Sequence, residues 1–504
     1  MELNGFSAIV AFASLLLLHF IASSLVLKWK QRQFIQANRC QPLLAQYPYK
    51  NVLFGINFIR ELAILGKNHC VLEHRLKQTR AWGNTWSYRI LGTSAIYTAE
   101  PENVKTMLSL KFKDYGLEYR LPIFGPLLGR GIFTTDGEHW SHSRAMIRPS
   151  FTRDQVADID ALEVYVQDLW KHIPGDGSTV DLQDLFFKFT IDSATEFLLG
   201  RSVHSLRGRS TSDVDFASAF NAAEEDIAAT SRKGFTLAKI LPKSKSAKIA
   251  IDACHQFVDQ IVEQAMEHRQ NLEAQEQKHP PNQRYIFLQE LSKVTTDKKR
   301  IRDEILNVLV AGRDTTASLL SNMFFHLARR PDIWNKLKEE IGTLQGKIPT
   351  YSALRDLKYL KYCINEALRL YPVVPINGRK AYVDTLLPVG GGADQKSPIF
   401  VPKGTLVTYS VYVMQRRKDI FGEDADEFKP ERWETIRPGW AYLPFNGGPR
   451  VCLGQQYAMT EALFVTARIL QRFARIEPRD DRPWKELLVI TMATDGGVKV
   501  GLYM

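Results

Sequence analysis

One cysteine in this chain stands within a glycine-rich loop, and that loop constrains the fold more than any other segment. Residues 445–454 read FNGGPRVCLG, so Phe445, Arg450, Cys452 and Gly454 stand at set spacing just before an amphipathic run. If that run is a helix, a thiolate at Cys452 lies at its N-terminus, where free N–H groups and the helix dipole stabilise negative charge. The glycines let the backbone approach a large flat group. A chance match to such a pattern has odds on the order of one in ten thousand.

Haem is the flat group that fits this loop, with the Cys452 sulfur as a proximal ligand that favours O–O cleavage. The alternative is a buried free cysteine, the usual state of a lone cytosolic thiol. Together with four further motifs, the loop resembles the haem-binding loop of the cytochrome P-450 monooxygenases, and the resemblance covers nearly the whole chain. It implies haem b, with iron bound axially by the Cys452 thiolate, and places Phe445 and Gly454 in the cofactor-binding loop.

A chain of 504 residues would ordinarily suggest two or three domains, but no linker or internal repeat divides it. The resemblance implies instead a mainly α fold with small β-sheets, in one large catalytic domain over residues 58–504. A composition of 45% hydrophobic and 24% charged residues excludes wholesale disorder. The five cysteines are scattered, which indicates a reducing compartment and no disulfide framework.

The N-terminal segment predicts a membrane anchor. Residues 6–27 are apolar, and as a helix they would span about 33 Å, enough to cross a bilayer core. Lys28, Lys30 and Arg32 follow at once, so the positive-inside rule keeps the C-terminal bulk cytosolic. A cleaved signal peptide is the alternative, although its basic flank would precede the apolar run. We therefore expect a single-pass protein of the endoplasmic reticulum membrane, with residues 28–57 as a connector.

The formal net charge is +11, and the basic residues are spread along the chain without a nucleic-acid motif. An anionic membrane surface and an acidic electron-donating partner both explain such a charge. Residues 235–248 mix apolar side chains with lysines, which suits either the membrane interface or a solvated loop. We expect membrane contact and no nucleic-acid partner.

Local patterns place the other elements. Residues 85–97 alternate as a strand or hairpin, and residues 217–236 and 247–273 show helical patterns. A long apolar helix is predicted over 300–330, ended by Pro331, and a last helix over 454–475. The polar segment 275–283, with two prolines, is predicted to be a surface loop.

Inside the predicted long helix stands a short polar motif, residues 311–316, which reads AGRDTT. Gly312 leaves room for dioxygen, and the Thr315 hydroxyl can bond back to the carbonyl of Ala311. Asp314 beside the Thr315 hydroxyl suits the delivery of protons for O–O cleavage. The segment resembles the oxygen-activation motif of the same family, although glycine and threonine are also tolerated as packing residues in helices.

Two further sets of residues follow from the resemblance. Glu366 and Arg369 share a helix face, and the family closes a buried network with an arginine that corresponds to Arg432. The implied role is to lock the cysteine loop. The haem propionates need cationic or N–H donors, and the resemblance implies the following four: Trp140, Arg144, Arg379 and Arg450. An ordinary surface charge is the alternative for each arginine.

Two local features narrow the subfamily: the segment 387–394, LPVGGGAD, and the extension of the cysteine loop over 452–462. Both resemble fungal P-450s that hydroxylate the terminal carbons of n-alkanes or fatty acids. An apolar tunnel is predicted from residues 115–129, from Leu309, Val310 and Ser318, and from residues 373–376. Related sequences tailor secondary metabolites, so that activity stays an alternative.

We therefore expect a membrane-bound monooxygenase that uses O2, a lipophilic small-molecule substrate and electrons from an NADPH-dependent flavoprotein reductase. A second hypothesis is a haem-thiolate isomerase, dehydratase or peroxygenase that needs no reductase; Asp314 and Thr315 argue against it because such relatives often lack that pair. A third is a haem-based sensor or carrier, which would need no oxygen-activation motif.

Overall fold

The molecule is described from a computed structural model, which covers residues 2–49, 55–152, 158–208, 213–233, 243–274 and 285–504. Most of the predicted interfacial segment 235–248 lies outside the described residues, and so does the whole of the predicted loop 275–283. Both stay predictions.

Helices make up most of the described chain. Their bounds are α1 Glu2–Ala37, α2 Ile56–Lys67, α3 Val71–Trp82, α4 Pro101–Lys105, α5 Leu121–Leu128, α6 Gly137–Ile147, α7 Ile159–Trp170, α8 Leu182–Leu199, α9 Asp213–Lys233, α10 Lys245–Ala274, α11 Phe287–Val294, α12 Lys298–Leu327, α13 Pro331–Gly342, α14 Tyr351–Asp356, α15 Lys358–Leu370, α16 Val411–Met414, α17 Lys418–Phe421 and α18 Gln455–Arg472. The predicted mainly α fold is confirmed.

Short strands form small sheets at the edges of the helical body. They are β1 Thr85–Ile90, β2 Thr93–Thr98, β3 Tyr115–Gly116, β4 Asp176–Asp181, β5 Ile376–Ala381, β6 Thr385–Gly391, β7 Ser397–Val401, β8 Leu406–Ser410, β9 Arg475–Pro478, β10 Glu486–Leu488, β11 Met492–Thr494 and β12 Lys499–Tyr503. The largest sheet has the order β1-β2-β8-β5-β3, and β4-β12-β9 form a second. β6 pairs with β7 and β10 with β11, both antiparallel. The predicted hairpin over 85–97 is the β1–β2 pair.

The long helix α12 runs through the centre of the molecule. Asp297 caps its N-terminus by accepting a hydrogen bond from the Arg300 N–H at 3.1 Å. The helix ends at Leu327, and Pro331 begins α13. Most of its residues are buried, because α12 packs against α8 and α10 and also contacts α18. The residues of α12 therefore lie at the centre of the core.

Two predicted boundaries are wrong. The first helix does not end with the apolar run but continues to Ala37, so residues 28–37 of the predicted connector are helical. Its tail docks on the β6–β7 hairpin, where Gln31 Nε2 donates to Asp384 Oδ2 at 3.2 Å and Phe34 lies 5.6 Å from Phe400. The last helix, predicted to reach residue 475, ends at Arg472, because Phe473 turns extended before strand β9.

Candidate functional site

The loop before α18 folds back on itself. The Cys452 N–H donates to the Phe445 carbonyl oxygen at 3.0 Å, and α18 begins at Gln455. Gly448 has φ +67°, and a Cβ there would collide with the Leu108 carbonyl oxygen, so only glycine fits. The Gly454 N–H donates to the Cys452 sulfur, and this bond lowers the thiol pKa. The loop thus places Cys452 at a helix N-terminus, as the sequence predicts.

The Cys452 side chain is exposed, yet burial dominates its chemistry and raises the pKa of the thiol. The two observations agree if the sulfur faces a hollow inside the protein rather than bulk solvent. The opposing effects of the Gly454 N–H and the Arg144 charge are smaller than that of burial. A bound cation would be needed to hold this sulfur as a thiolate at neutral pH.

A second wall of the hollow is indicated on α12. Ala311, Gly312 and Thr315 are only partly buried, although the helix around them is almost wholly buried, and the three lie on one face. The Thr315 hydroxyl donates to the Ala311 carbonyl oxygen at 2.6 Å, as predicted. A Cβ on Gly312 would meet only Ala194, at an ordinary 3.7 Å, so close packing does not require glycine there.

The predicted tunnel lining from α12 is wrong in two positions. Leu309 and Ser318 are fully buried in the core, and the Ser318 hydroxyl pairs with the Thr491 hydroxyl at 3.2 Å. They lie on faces of the helix that pack against other elements. Val374, which lies in the predicted lining segment 373–376, is 41% exposed, and Phe133, which the prediction did not include, is 37% exposed.

Asp314 lies deeper than the sequence indicates, with only 3% of its surface exposed. The Arg313 guanidinium donates to Asp314 Oδ1 at 3.0 Å and to Glu224 Oε2 at 2.8 Å. Both bonds come from the same guanidinium nitrogen, Nη1, so the two carboxyl groups lie side by side on Arg313. Sequence analysis missed Glu224, because no local pattern joins α9 to α12.

The four predicted propionate donors differ in how many hydrogen bonds they already donate within the protein. Trp140 and Arg144 share a face of α6, and neither donates a hydrogen bond to another described residue. Arg379 donates to Asn377 Oδ1 at 3.0 Å and to the Gly378 carbonyl oxygen at 2.8 Å. Arg379 lies on strand β5, and the residue as a whole is only 2% exposed.

Arg450 departs most from the prediction. It pairs with Asp136 at 2.5 Å, donates to the Thr135 carbonyl oxygen at 2.9 Å, and lies 4.3 Å from the Trp140 ring. Burial lowers its pKa to about 10, which Asp136 partly offsets. Arg120, absent from the predicted set, lies close enough to lower the Arg450 pKa as well, so the site holds more cationic groups than the motif indicates.

The structure brings Glu366, Arg369 and Arg432 together. Arg369 holds Glu366 through two hydrogen bonds, of 2.9 and 2.8 Å, and Arg432 Nε donates to the same carboxylate at 2.9 Å. The Trp433 indole adds a bond of 3.0 Å. Glu366 and Arg369 are wholly buried, so this is not a surface ion pair.

Gln415 connects that network to the cysteine loop, and sequence analysis did not find it. Arg369 donates to the Gln415 carbonyl oxygen at 2.8 Å, and the Gln415 amide donates to the carbonyls of Leu368 and Arg369. The Gln415 side-chain oxygen accepts the Leu443 N–H at 2.8 Å, two residues before Phe445. Only the tertiary structure reveals this connection, since residues 369, 415 and 443 are distant in sequence.

Comparison with known proteins decides the family. The cytochrome P450 family model matches residues 54–497, most of the chain. This chain is a cytochrome P450. The monooxygenase himC of Aspergillus japonicus is 50% identical to it, over 92% of this chain and 84% of that protein. The monooxygenase fsdH of Fusarium heterosporum is 47% identical, over 96% of this chain and 86% of that protein. Cytochrome P450 52A13 of Debaryomyces hansenii is 46% identical, over 83% of this chain and 83% of that protein.

The P450 is thus a haem-thiolate monooxygenase of the family with cysteine-ligated haem iron. The family uses O2, a redox partner and lipophilic substrates. The residues fit the cofactor: an accessible thiol faces inward at a helix N-terminus, and Trp140 and Arg144 keep donors unused near it. On α12, a small-residue face with one hydroxyl stays partly accessible. The apolar N-terminal helix, long enough to span a membrane, supports membrane association of the P450.

Proposed function

We propose that this P450 hydroxylates the terminal carbon of n-alkanes or fatty acids, with Cys452 as the axial ligand of haem b. When bound, the haem supplies the activation of dioxygen. The observation that carries the proposal is the accessible face of Ala311, Gly312 and Thr315 on an otherwise buried helix. That face is apolar apart from one hydroxyl, which suits a hydrocarbon guest beside a single proton donor.

The other residues of the site hold the cofactor and its loop. Trp140 and Arg144 offer unused donors to the propionates, and Arg379 and Arg450 add positive charge. Phe445 and Gly454 fix the loop through their backbone bonds to Cys452. The network of Glu366, Arg369 and Arg432 keeps the loop rigid through Gln415.

Proton supply comes from Thr315 and Asp314. The Thr315 hydroxyl already donates to the Ala311 carbonyl, so its oxygen is free to accept a proton and pass one on. Asp314, the preceding residue, is the acid that supplies it through water.

Segments 387–394 and 452–462 support the substrate class, since both resemble fungal alkane and fatty-acid hydroxylases. The exposed Val374 and Phe133 extend the apolar lining. A second candidate is the tailoring of a fungal secondary metabolite. It is favoured by the relatives at 50% and 47% identity, which rank above the 46% identity to cytochrome P450 52A13.

The electron donor is proposed to be an NADPH-dependent flavoprotein reductase. A surface cleft beside the cysteine loop is lined by Arg355, Lys361, Phe445 and Met459, among others. The positive charges of Arg355 and Lys361 would attract an acidic flavoprotein. Phe445 accepts the Cys452 N–H through its carbonyl oxygen, so the cleft borders the loop that carries Cys452. With the anchor helix, this supports a single-pass endoplasmic reticulum protein whose catalytic domain, residues 58–504, is cytosolic.

Reconstitution of the full chain in microsomes with the reductase tests the proposal. A panel of n-alkanes, fatty acids and fatty alcohols is supplied with NADPH, and the position of oxygen in each product is mapped. Terminal hydroxylation of long chains is expected. Turnover of none of the panel, with intact haem, would favour the secondary-metabolite candidate, and product formation without NADPH would point to a reductase-independent enzyme.

A further inference from the structure

A buried ionisable cluster lies behind the oxygen-activation motif. Arg313 and Asp314 come from α12, and Glu224 from α9. Their exposed fractions are 5%, 3% and 3%, respectively. Arg313 bridges the two carboxyl groups at 2.8 and 3.0 Å, and Asn221 accepts a further bond from the same guanidinium. The rings of Phe187 and Phe220 lie 5.1 and 5.7 Å from it, so the cluster is largely shielded from water.

The charges in this cluster do not balance without a proton. One guanidinium and two carboxylates would leave a net negative charge in a buried site, which is costly. Both carboxyl groups accept from the same nitrogen of Arg313, so its single positive charge balances them only if one of the two carries a proton. Glu224 Oε1 is buried and has no hydrogen-bond partner among the described residues, so it lacks the bond that a buried oxygen normally makes.

The environment assigns the shared proton to Glu224. Burial, and next the charge of Asp314, raise its pKa well above the ordinary value, while Arg313 lowers it less. The other titratable group near Glu224 is Cys254 of α10, whose thiol is fully buried and has its pKa raised to about 12 by burial and by Glu224. That thiol is neutral and adds no charge to the cluster.

We propose that Glu224 is a positioning residue for oxygen activation, because it holds the one shared proton of the cluster beside Asp314 and transfers it to that carboxylate, which then passes it on towards Thr315. For each proton delivered, Glu224 gives its proton to the Asp314 carboxylate, and Asp314 then gives it through water to the Thr315 oxygen. Glu224 is then reprotonated by solvent water at the exposed Asn221 end of the cluster. Arg313 keeps both carboxyl groups oriented while the proton moves.

The inference rests on the proposed role of Asp314, so its test has one arm that is independent of turnover. Infrared difference spectra, wild type minus variant, are recorded on the purified holoenzyme at neutral pH, so that the carboxyl bands of Glu304, Glu461 and Glu486, whose pKa values burial raises to about 7, cancel. The carbonyl band of a protonated carboxyl group is expected in the wild type and absent from Glu224→Gln. Glu225→Gln, an exposed neighbour on the same helix, should retain it. A band that persists in Glu224→Gln overturns the proposal.

Asp314→Asn supplies a second route to the same answer if Glu224→Gln fails to fold. With the negative neighbour removed and Arg313 still present, Glu224 is expected to ionise more readily and its band to disappear at lower pH. If the Glu224 band disappears at the same pH as in the wild type, the proposal that the two carboxyl groups share a proton is overturned.

The turnover arm measures peroxide released per NADPH and the solvent deuterium isotope effect. Glu224→Gln should raise both several-fold, while Glu225→Gln changes neither. If the infrared band assigns the proton to Glu224 but neither quantity changes in Glu224→Gln, the transfer to Asp314 is overturned. If both quantities also stay unchanged in Asp314→Asn, the proposed function of Asp314 itself fails.

Discussion

The backbone N–H of Gly392 donates a hydrogen bond to the carbonyl oxygen of Pro42 at 3.0 Å. The N–H of Gln41, the residue before Pro42, donates to the carbonyl oxygen of Pro398 in strand β7 at 2.7 Å. The connector behind the anchor helix is therefore tied to the β6–β7 hairpin. Close backbone approach explains Gly391, whereas Gly390 and Gly392 are favoured by their positive φ angles, +121° and +78°.

Gly391→Ala is expected to loosen that contact. An added Cβ would lie 2.7 Å from the Pro398 carbonyl oxygen and 2.9 Å from that of Gln41, so one backbone must shift, at a cost of about 1–3 kcal/mol. Limited proteolysis should then cut residues 38–49 faster than in the wild type. Gly342→Ala, where a Cβ meets nothing within 4 Å, serves as the control. Equal cleavage rates in both variants would show that the connector is held elsewhere.

Cys452→Ala should abolish the red-shifted Soret band of the reduced carbon monoxide complex, because that band reports a thiolate opposite carbon monoxide. Cys70→Ala, at a partly buried cysteine in another part of the fold, should retain it. Reconstitution with excess haem followed by the carbon monoxide difference spectrum measures both variants. A normal spectrum in Cys452→Ala would mean that another residue binds the iron.

Sequence patterns within single elements predicted much of this molecule, whereas contacts between elements distant in sequence were not predicted. The apolar run ended by Pro331 predicted α12, and the amphipathic run after the cysteine loop predicted the helix that begins just beyond Cys452. The pairing of Asp314 with Glu224 depends on how α9 packs against α12, some ninety residues away, and no local period encodes that. The Asp136 carboxylate, which binds Arg450, was missed for the same reason.

Glu366→Gln should destabilise the fold by roughly 3–5 kcal/mol, because it leaves Arg369 and Arg432 buried without their counter-charge. Chemical denaturation followed by the Soret band measures the loss. Glu423→Gln removes the same charge from an ion pair with Lys418 in which the glutamate side chain is 89% exposed, so its effect should stay under about 1 kcal/mol. Similar losses in the two variants would contradict a structural role for the buried network.

Thr315→Ala should uncouple NADPH oxidation from product formation and release peroxide, because it removes the one hydroxyl on the accessible face of α12. Thr315→Ser keeps a hydroxyl that can make the same bond to Ala311, so most of the coupling should return. Peroxide and product are measured together per NADPH consumed. Unchanged coupling in Thr315→Ala would place the proton supply elsewhere.

Glu461 is expected to make stability depend on pH. It is buried on α18, accepts the Ser193 hydroxyl at 2.6 Å, and burial raises its pKa to about 7. The folded protein therefore keeps a proton that the unfolded chain releases above about pH 4.5. The free energy of unfolding should fall as the pH rises from about 4.5 to 7, by on the order of 3 kcal/mol from this group, and level off above that range.

Glu461→Gln removes the titrating group but keeps an acceptor for Ser193, so this part of the slope should vanish and the variant should gain relative stability towards pH 8. Denaturant midpoints measured across the range give the slope for each protein. The exposed Glu434→Gln should keep the wild-type slope. If the slope of Glu461→Gln matches the wild type, the carboxylate is already ionised in the folded state, and α18 must accommodate its charge beside Ser193.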